Sequence, residues 1–193
     1  MPGSLVAPQP QRVLLTGATG YVGGRLLPLL EQGGFRVRCL VRRPEVLTSR
    51  VSASTEVIAG DVLDRATLDP ALRGIDVAYY LVHSMGATGS FEEADRKAAR
   101  NFGEAARAAG VGRIVYLSGL HPHEGPLSDH LASRVEVGDL LMASGVPTAV
   151  LQAAVILGSG SASFEMLRHL TTRLPVMITP KWLDNRIQPI AVR

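Results

Sequence analysis

The sequence predicts an α/β protein built around a doubly wound parallel sheet. Short apolar runs alternate with longer helical patterns, which is the rhythm of repeated strand–helix units. The first run, Val13-Leu14-Leu15, is apolar at every position, as expected for a central parallel strand that is buried on both faces. A glycine-rich turn follows this run, at the end of the strand where sheets of this kind bind ligands.

Six apolar runs have the length and composition of strands. They cover residues 12–16, 35–41, 55–59, 77–82, 113–117 and 148–156. The patterns between them predict helices over residues 22–32, 91–109 and 129–144, with further helices beginning around Asp64 and near Phe164. Strands and helices in this order favour a sheet that is covered by helices on both faces.

The chain is expected to form one domain, because 193 residues with 46% hydrophobic content can bury a sizeable core. Residues 1–11 contain three prolines and no periodicity, so they are predicted to form a flexible tail before a domain that spans residues 12–193. Residues 186–193 resemble a strand without its following helix. We therefore expect a chain that is truncated at its C-terminus or belongs to a longer protein.

Composition argues against several classes of protein. The net charge is +3, the arginines are scattered and 5% of residues are aromatic, which disfavours a nucleic-acid-binding protein. No apolar run approaches the roughly 18 residues of a membrane helix, and the N-terminus lacks a signal-peptide pattern, so a soluble cytoplasmic protein without a membrane partner is expected. The single cysteine, Cys39, lies in a predicted strand, where a buried thiol is the simplest interpretation.

The turn after the first strand has the spacing Gly17-x-x-Gly20-x-x-Gly23. Gly17 permits a tight turn, Gly20 lets a pyrophosphate approach the backbone, and Gly23 allows helix and sheet to pack closely. The N–H groups at the start of the helix then face the phosphates. This context predicts a Rossmann-type dinucleotide site. The cofactor-binding residues expected from the loop are Gly17, Ala18, Thr19, Gly20, Tyr21, Val22 and Gly23.

The second predicted strand ends in Val41-Arg42-Arg43-Pro44, where an NAD site carries an acidic residue for the ribose 2′-hydroxyl. Arg42 and Arg43 instead offer planar, charged groups for a 2′-phosphate. The sequence therefore favours NADP(H) as the cofactor and leaves NAD(H) open. The alternative is that both arginines are solvated loop residues.

Two further strand ends are expected at the cofactor. The third strand ends in Gly60-Asp61-Val62, and both Asp61 and Val62 are predicted contacts. Asp61 either accepts a hydrogen bond from the adenine amino group or caps the helix that begins around Asp64. His83 follows the fourth strand at the same edge, where it is expected to contact cofactor or substrate, with an ordinary loop role as the alternative.

Residues 16–23, 41–44, 60–62 and 113–118 together resemble the atypical short-chain dehydrogenases/reductases, specifically the NmrA-like NAD(P)-binding family. Residues 78–86 are similar to a bacterial subgroup labelled nucleoside-diphosphate-sugar epimerase or NAD(P)H-binding oxidoreductase. The resemblance runs from the first strand to the end of the chain and implies a Rossmann fold and a dinucleotide cofactor. It does not imply one reaction, because the family includes reductases, quinone reductases, isomerases and regulators without catalysis.

The resemblance also implies where catalysis would occur. Ser118, at the end of the fifth strand, takes the position of the family's catalytic serine, which orients a substrate carbonyl or hydroxyl. The family's Tyr-x-x-x-Lys pair is replaced by His130 and Arg134. A histidine can act as an acid or base and an arginine can hold a ribose by hydrogen bonds, so both are candidate catalytic residues. Alternatively, both are ordinary surface side chains.

Other polar segments carry weaker signals. The loop His121-Pro122-His123-Glu124 contains metal-ligand residue types, but its irregular spacing matches no zinc site, and no metal is predicted. Asn101 is expected to make structural hydrogen bonds from the long helix. The loop Gly158-Ser159-Gly160-Ser161 is suited to close over a ligand or to cap the helix near Phe164.

The leading functional hypothesis is an NADP(H)-dependent oxidoreductase that transfers hydride to or from a small organic substrate. The rival is a non-catalytic module that senses NAD(P)H or supplies the cofactor-binding half of a larger protein. A sugar-nucleotide epimerase or dehydratase is a further alternative, although such enzymes need a larger substrate domain. The substrate is left open, and a homodimer is compatible with the sequence.

Overall fold

The computed structural model describes residues 10–83, 91–122, 125–173 and 188–192. A six-stranded sheet lies at its centre, and all of its strand pairs are parallel. Its strands are β1 (Arg12–Thr16), β2 (Arg36–Val41), β3 (Glu56–Ala59), β4 (Val77–Tyr80), β5 (Arg113–Gly119) and β6 (Thr148–Ala153). A second sheet pairs β7 (Ile156–Leu157) with β8 (Ile190–Ala191).

The strand order of the large sheet is β3-β2-β1-β4-β5-β6. The chain therefore builds outwards from β1 in one direction and then returns to start again at β4 on the other side. Loops leave the carboxyl ends of β1 and β4 in opposite directions, and a crevice opens between them. The predicted doubly wound Rossmann fold is confirmed.

Five helices accompany the strands: α1 (Gly23–Gln32), α2 (Arg65–Leu72), α3 (Phe91–Ala108), α4 (Asp129–Ala143) and α5 (Ala162–Arg173) in the described ranges. The side chain of Asp64 accepts a hydrogen bond from the N–H of Ala66 and so caps α2. Ser128 accepts from the N–H of Leu131 at the start of α4. The predicted helices over residues 22–32, 91–109 and 129–144 agree with these bounds to within one residue.

Successive residues of β1 point into two different cores. Leu14 packs with residues of α2, α3 and α4, whereas Val13 and Leu15 pack with residues of α1. The first core includes Leu68, Phe102 and Leu141, and the second includes Leu27, Leu30 and Val37. Helices therefore cover both faces of the sheet, which explains why β1 is apolar at successive positions.

The expected strand over residues 148–156 is wrong at its end. β6 follows β5 as far as Ala153, which is paired with Gly119. Ile156 turns away and pairs with Ile190 in the second sheet. The apolar run is thus shared between two sheets, and composition alone does not mark the break. The strand expected over residues 186–193 is present at Ile190–Ala191, and residues 186, 187 and 193 lie outside the described residues.

Cys39 is fully buried in the core beside α1, as expected, and burial raises the pKa of its thiol to about 12. A thiol in this environment stays protonated and unreactive at neutral pH. No helix in the described part of the chain is long and apolar enough to cross a membrane.

Candidate functional site

A cleft of about 510 Å³ opens at the carboxyl ends of β1, β2, β3 and β4. It lies where the strand order reverses, the position at which open α/β sheets bind ligands. Seven of the predicted cofactor-binding residues line it: Gly17, Thr19, Gly20, Arg42, Asp61, Val62 and His83.

The backbone of the glycine loop has the shape that a phosphate-binding turn needs. Gly17 has φ +72°, and a Cβ there would lie 2.5 Å from the carbonyl oxygen of Leu81. A Cβ at Gly23 would overlap the carbonyl group of Gly17. The turn closes through the N–H of Gly20, which donates to the oxygen of Gly17 at 2.9 Å. A side chain at Gly17 would push the loop away from Leu81, and one at Gly23 would push α1 away from the loop. The close packing of these glycines fits a turn that holds a dinucleotide pyrophosphate.

Thr16 joins the two strands that flank the crevice. Its buried hydroxyl donates to the oxygen of Tyr79 at 2.9 Å and accepts from the N–H of Leu81 at 3.0 Å. The ends of β1 and β4 are thereby held together directly beneath the glycine loop. Sequence reasoning did not predict that Thr16 joins these two strands, because nothing in the sequence shows which strand lies beside β1.

The remaining predicted cofactor residues do not line the cleft. They are Ala18, Tyr21, Val22, Gly23 and Arg43. Ala18 is buried in the core beside α1, where it supports the loop from below. The hydroxyl of Tyr21 is buried and has no hydrogen-bond partner among the described residues. Arg43 is exposed and precedes a short turn of 3-10 helix at Pro44–Val46.

Tyr21 instead connects the glycine loop to the loop after β7. The guanidinium of Arg25 lies 4.1 Å from the centre of the Tyr21 ring and donates to the backbone oxygen of Ser159. Gly158 lies against the Tyr21 hydroxyl, where a Cβ would overlap it. The loop predicted to close over a ligand is therefore in contact with the start of α1.

The structure excludes one of the two roles that were open for Asp61. Its carboxylate accepts from the N–H of Leu63 at 2.9 Å and forms a local turn, whereas Asp64 caps α2. The capping alternative for Asp61 is therefore wrong. Asn101 of α3 donates to the oxygens of Val62 and Leu63, which confirms its expected structural role. These bonds hold the β3–α2 loop at the wall of the cleft.

The three predicted catalytic residues line a second, smaller pocket of about 340 Å³ at the ends of β5 and β6. Ser118 is buried, and its hydroxyl donates to the backbone oxygen of Arg134 at 3.4 Å. Tyr116 donates to the same oxygen at 3.0 Å. His130, on the first turn of α4, is exposed. The structure thus brings Ser118, His130 and Arg134 together in the lining of one pocket.

An acid–imidazole pair, with a buried carboxylate and a partly buried ring, lies between the two pockets. His83 follows β4, and its Nδ1 is 3.0 Å from a carboxylate oxygen of Asp95 on α3. The His83 ring meets the His130 ring edge-on, with 5.0 Å between their centres. Burial and the Arg134 guanidinium lower the pKa of His83, while the Asp95 carboxylate acts in the opposite direction.

Sequence reasoning missed Asp95, although the signal was present. Asp95 precedes Ala98, Ala99 and Phe102 at helical spacing, so it lies on the apolar face of α3. Both Asp95 and Ser133, whose hydroxyl donates to it at 3.4 Å, are buried. A carboxylate on the buried stripe of a helix is a candidate for function, because burial of a charge is costly without partners.

A family described as NAD(P)H-binding matches residues 17–157 of this chain. Two curated relatives are named reductases. The ceramide reductase of Caulobacter vibrioides is 33% identical over 167 residues, which cover 86% of this chain and 52% of that protein. The (4-alkanoyl-5-oxo-2,5-dihydrofuran-3-yl)methyl phosphate reductase of Streptomyces griseus is 38% identical over 136 residues, which cover 70% of this chain and 44% of that protein. The chain thus spans about half the length of these relatives.

Solved structures show the same fold. The Bordetella bronchiseptica enzyme WbmG in complex with NAD aligns with a TM-score of 0.71 at 20% identity, covering 87% of this chain and 62% of that one. The NADPH-dependent quinone oxidoreductase QOR2 of Escherichia coli, complexed with NADPH, aligns with a TM-score of 0.63 at 27% identity, covering 76% and 50%. Since the family match extends from the glycine loop to the end of β7, this chain belongs to the NAD(P)H-binding family.

Proposed function

We propose that this chain forms the cofactor-binding part of an NADP(H)-dependent oxidoreductase that transfers hydride to or from a small organic carbonyl or alcohol. The observation that carries the proposal is the continuous cleft that joins the glycine loop to Arg42 at the end of β2. Named reductases among the relatives support a reductase in particular.

The order of the lining residues along the cleft indicates which end of the cleft would hold each half of the cofactor. Arg42 and Asp61 lie over β2 and β3, at one end of the cleft, and the glycine loop lies over β1 at its centre. A 2′-phosphate at Arg42 and a pyrophosphate at Gly17 and Gly20 would place the adenosine half on the β2–β3 side. The nicotinamide half would then extend towards β4, β5 and His83.

The smaller pocket fits the substrate end of this arrangement. The Ser118 hydroxyl would orient the substrate oxygen, and the Arg134 guanidinium would donate to the ribose hydroxyls or to the substrate. His130 would contact the substrate from the exposed side of the pocket. These roles follow the resemblance, with His130 and Arg134 in place of tyrosine and lysine.

Calorimetric titration with NADPH and NADH tests the cofactor assignment. We expect tighter binding of NADPH, and a loss of about tenfold or more in NADPH affinity for Arg42→Ala, because a charge-assisted bond to the 2′-phosphate disappears. NADH affinity should change little. Because Arg43 does not line the cleft, Arg43→Ala should have the smaller effect of the two.

Arg36 provides the matched control, since it is an exposed arginine at the opposite end of the same strand. Arg36→Ala should leave the affinity for both nucleotides unchanged. Equal losses from Arg36→Ala and Arg42→Ala would show that the effect is one of net charge. Failure of the wild-type chain to bind either nucleotide would refute the proposed function.

A non-catalytic NAD(P)H sensor is the second candidate, favoured by the presence of His130 and Arg134 at the positions where the family has tyrosine and lysine. Turnover distinguishes the two functions. A sensor binds NADPH and consumes none of it in the presence of quinones, aldehydes and ketones, whereas an oxidoreductase oxidises NADPH with at least one of them.

A further inference from the structure

The His83–Asp95 pair has the geometry of a proton-transfer group. An ionised carboxylate only accepts hydrogen bonds, so with Asp95 ionised Nδ1 of His83 is the donor in the 3.0 Å contact. In the neutral imidazole, Nε2 then carries no proton and can accept a hydrogen bond. Nε2 is shielded from solvent and has no partner among the described residues. A buried nitrogen without a partner is costly unless a ligand uses it.

His83 lies beside the place that the proposed function assigns to the substrate oxygen. His83 is in the wall of the cofactor cleft, and His130, against its ring, is in the wall of the smaller pocket. The pair therefore stands where the nicotinamide half and the substrate would meet. Because His130 is exposed and packs against the His83 ring, rotation of its side chain would open space beside His83 for a substrate oxygen.

We propose that His83 is the catalytic residue that exchanges a proton with the substrate oxygen, and that Asp95 is its positioning residue. The proposal rests on the hydride-transfer function above and replaces the proton-transfer role that the resemblance suggested for His130. His130 becomes a neighbour that packs against the His83 ring, while Ser118 keeps its role in orienting the substrate.

In the proposed reduction, bound NADPH would be the hydride donor, and the electron pair of the hydride would become the new C–H bond at the carbonyl carbon. The C=O π pair would take the proton from Nε2–H of protonated His83 and become the new O–H bond, which leaves NADP⁺ and neutral His83. Neutral His83 then regains a proton from water. In the reverse direction, Nε2 of neutral His83 accepts the hydroxyl proton of an alcohol.

Asp95 acts on both the orientation and the basicity of His83. Its hydrogen bond selects the tautomer with a free Nε2, and its negative charge stabilises the imidazolium form. Burial and Arg134 favour the neutral form, so the pKa of His83 lies below its ordinary value. The ionisable groups around the pair are Arg134 and His130 of α4, Tyr80 of β4 and Tyr116 of β5.

The first test needs neither cofactor nor substrate. Nitrogen-15 NMR of the imidazole rings, with His83 assigned by its loss in His83→Gln, reports both the tautomer and the pKa. We expect neutral His83 to carry its proton on Nδ1, and Asp95→Asn to lower the His83 pKa, since the charge that supports the imidazolium is removed. A proton on Nε2 of neutral His83, or a pKa unaffected by Asp95→Asn, would overturn the dyad.

The second test measures NADPH oxidation with menadione, phenanthrenequinone, and straight-chain aldehydes and methyl ketones, using the fastest substrate found. We expect His83→Gln to lower kcat at least about a hundredfold while NADPH binding stays within about threefold of wild type. For the wild-type chain, kcat/KM for reduction should fall as pH rises through the His83 pKa. The inflection should move to lower pH in Asp95→Asn.

His169→Gln is the matched control, because His169 is an exposed histidine on α5, away from both pockets. His83→Asn, a second variant, separates a folding defect from a chemical one, and circular dichroism must show both His83 variants folded. Unchanged kcat in folded His83→Gln would overturn the dyad while leaving the oxidoreductase function standing. NADPH binding with no oxidation by any of these carbonyls would overturn the oxidoreductase function itself, and the dyad with it.

Discussion

At the scale of single residues, the shape of the cleft depends on glycines at two positions where a side chain would not fit. Gly17 approaches the backbone of Leu81, and Gly23 lies directly against Gly17, so each position excludes a Cβ for a different reason. Gly17 is limited both by its positive φ and by its contact with Leu81, the residue after β4. Gly23 has helical geometry and is limited by contact alone.

Gly23→Ala should therefore disrupt the loop without straining the backbone of α1. The new methyl group would overlap the Gly17 carbonyl, which must move. We expect a loss of about 1–3 kcal/mol in the free energy of unfolding, as for other overpacked sites. NADPH affinity should fall about tenfold or more because the pyrophosphate turn is displaced. Urea denaturation and calorimetry measure the two effects.

Gly24→Ala is the control for this substitution. Gly24 is the next residue of α1, and a Cβ there would lie 3.3 Å from the oxygen of Ala18, a contact that a small shift relieves. NADPH affinity should stay within about twofold of wild type. If the two variants lost affinity equally, the close approach of Gly23 to Gly17 would not be the cause.

At the scale of secondary-structure elements, α3 organises the cofactor cleft from behind. It packs on α2 and α4 through a stripe of small side chains and Phe102. Two of its polar residues reach the loops that follow strands. Asn101 holds the β3–α2 loop, and Asp95 holds His83 after β4. One helix thus positions both ends of the cleft, although α3 itself follows β4 in the chain.

Asn101→Ala should loosen the β3–α2 end of the cleft, where the proposed function places the adenosine. The variant leaves the carbonyl oxygens of Val62 and Leu63 without their donor, at 3.2 and 3.1 Å in the wild type. We expect the free energy of unfolding to fall by about 1–3 kcal/mol. NADPH affinity should fall about threefold to tenfold through the freed loop.

Lys97→Ala on the exposed face of α3 is the control, and its free energy of unfolding should change by no more than about 0.5 kcal/mol. Urea denaturation and NADPH titration of both variants give the comparison. If Asn101→Ala lost stability but kept full affinity, the loop would be held in place by other contacts.

At the scale of the whole molecule, the strand order creates a cleft that neither half of the sheet forms alone. β1, β2 and β3 contribute the glycine loop, Arg42 and Asp61, and β4 contributes His83 across the crevice. Both halves of the sheet also contribute residues to each of the two cores, which lie on opposite faces of the sheet. A ligand in the cleft would therefore contact both halves of the folded chain and few sites of an unfolded one.

Bound NADPH should stabilise the molecule as a unit. For one site on the native state, each tenfold increase in free NADPH above its Kd adds about 1.4 kcal/mol to the free energy of unfolding. Denaturation in urea at several NADPH concentrations measures this slope, and the Gly23→Ala chain serves as a weak-binding comparison. A slope near zero in spite of calorimetric binding would mean that NADPH binds the unfolded chain equally well.

The sequence by itself determined the main sheet, the helices flanking it and the location of the glycine loop. Uniformly apolar strands, helical periodicity and glycine spacing are local patterns with local physical causes, and they sufficed for β1, α1 and the turn between them. Gly17 and Arg42 were predicted for the same reason, because each follows a recognisable strand.

Only the tertiary structure decided which distant residues meet. The break between β6 and β7 depends on β8, more than 30 residues away in the chain. The contacts of Thr16 with β4 and of Asp95 with His83 depend on strand order and helix packing, which no local pattern encodes. A buried carboxylate on an apolar helix face indicates a partner, but long-range packing selects that partner, because only packing brings the two side chains within hydrogen-bond distance.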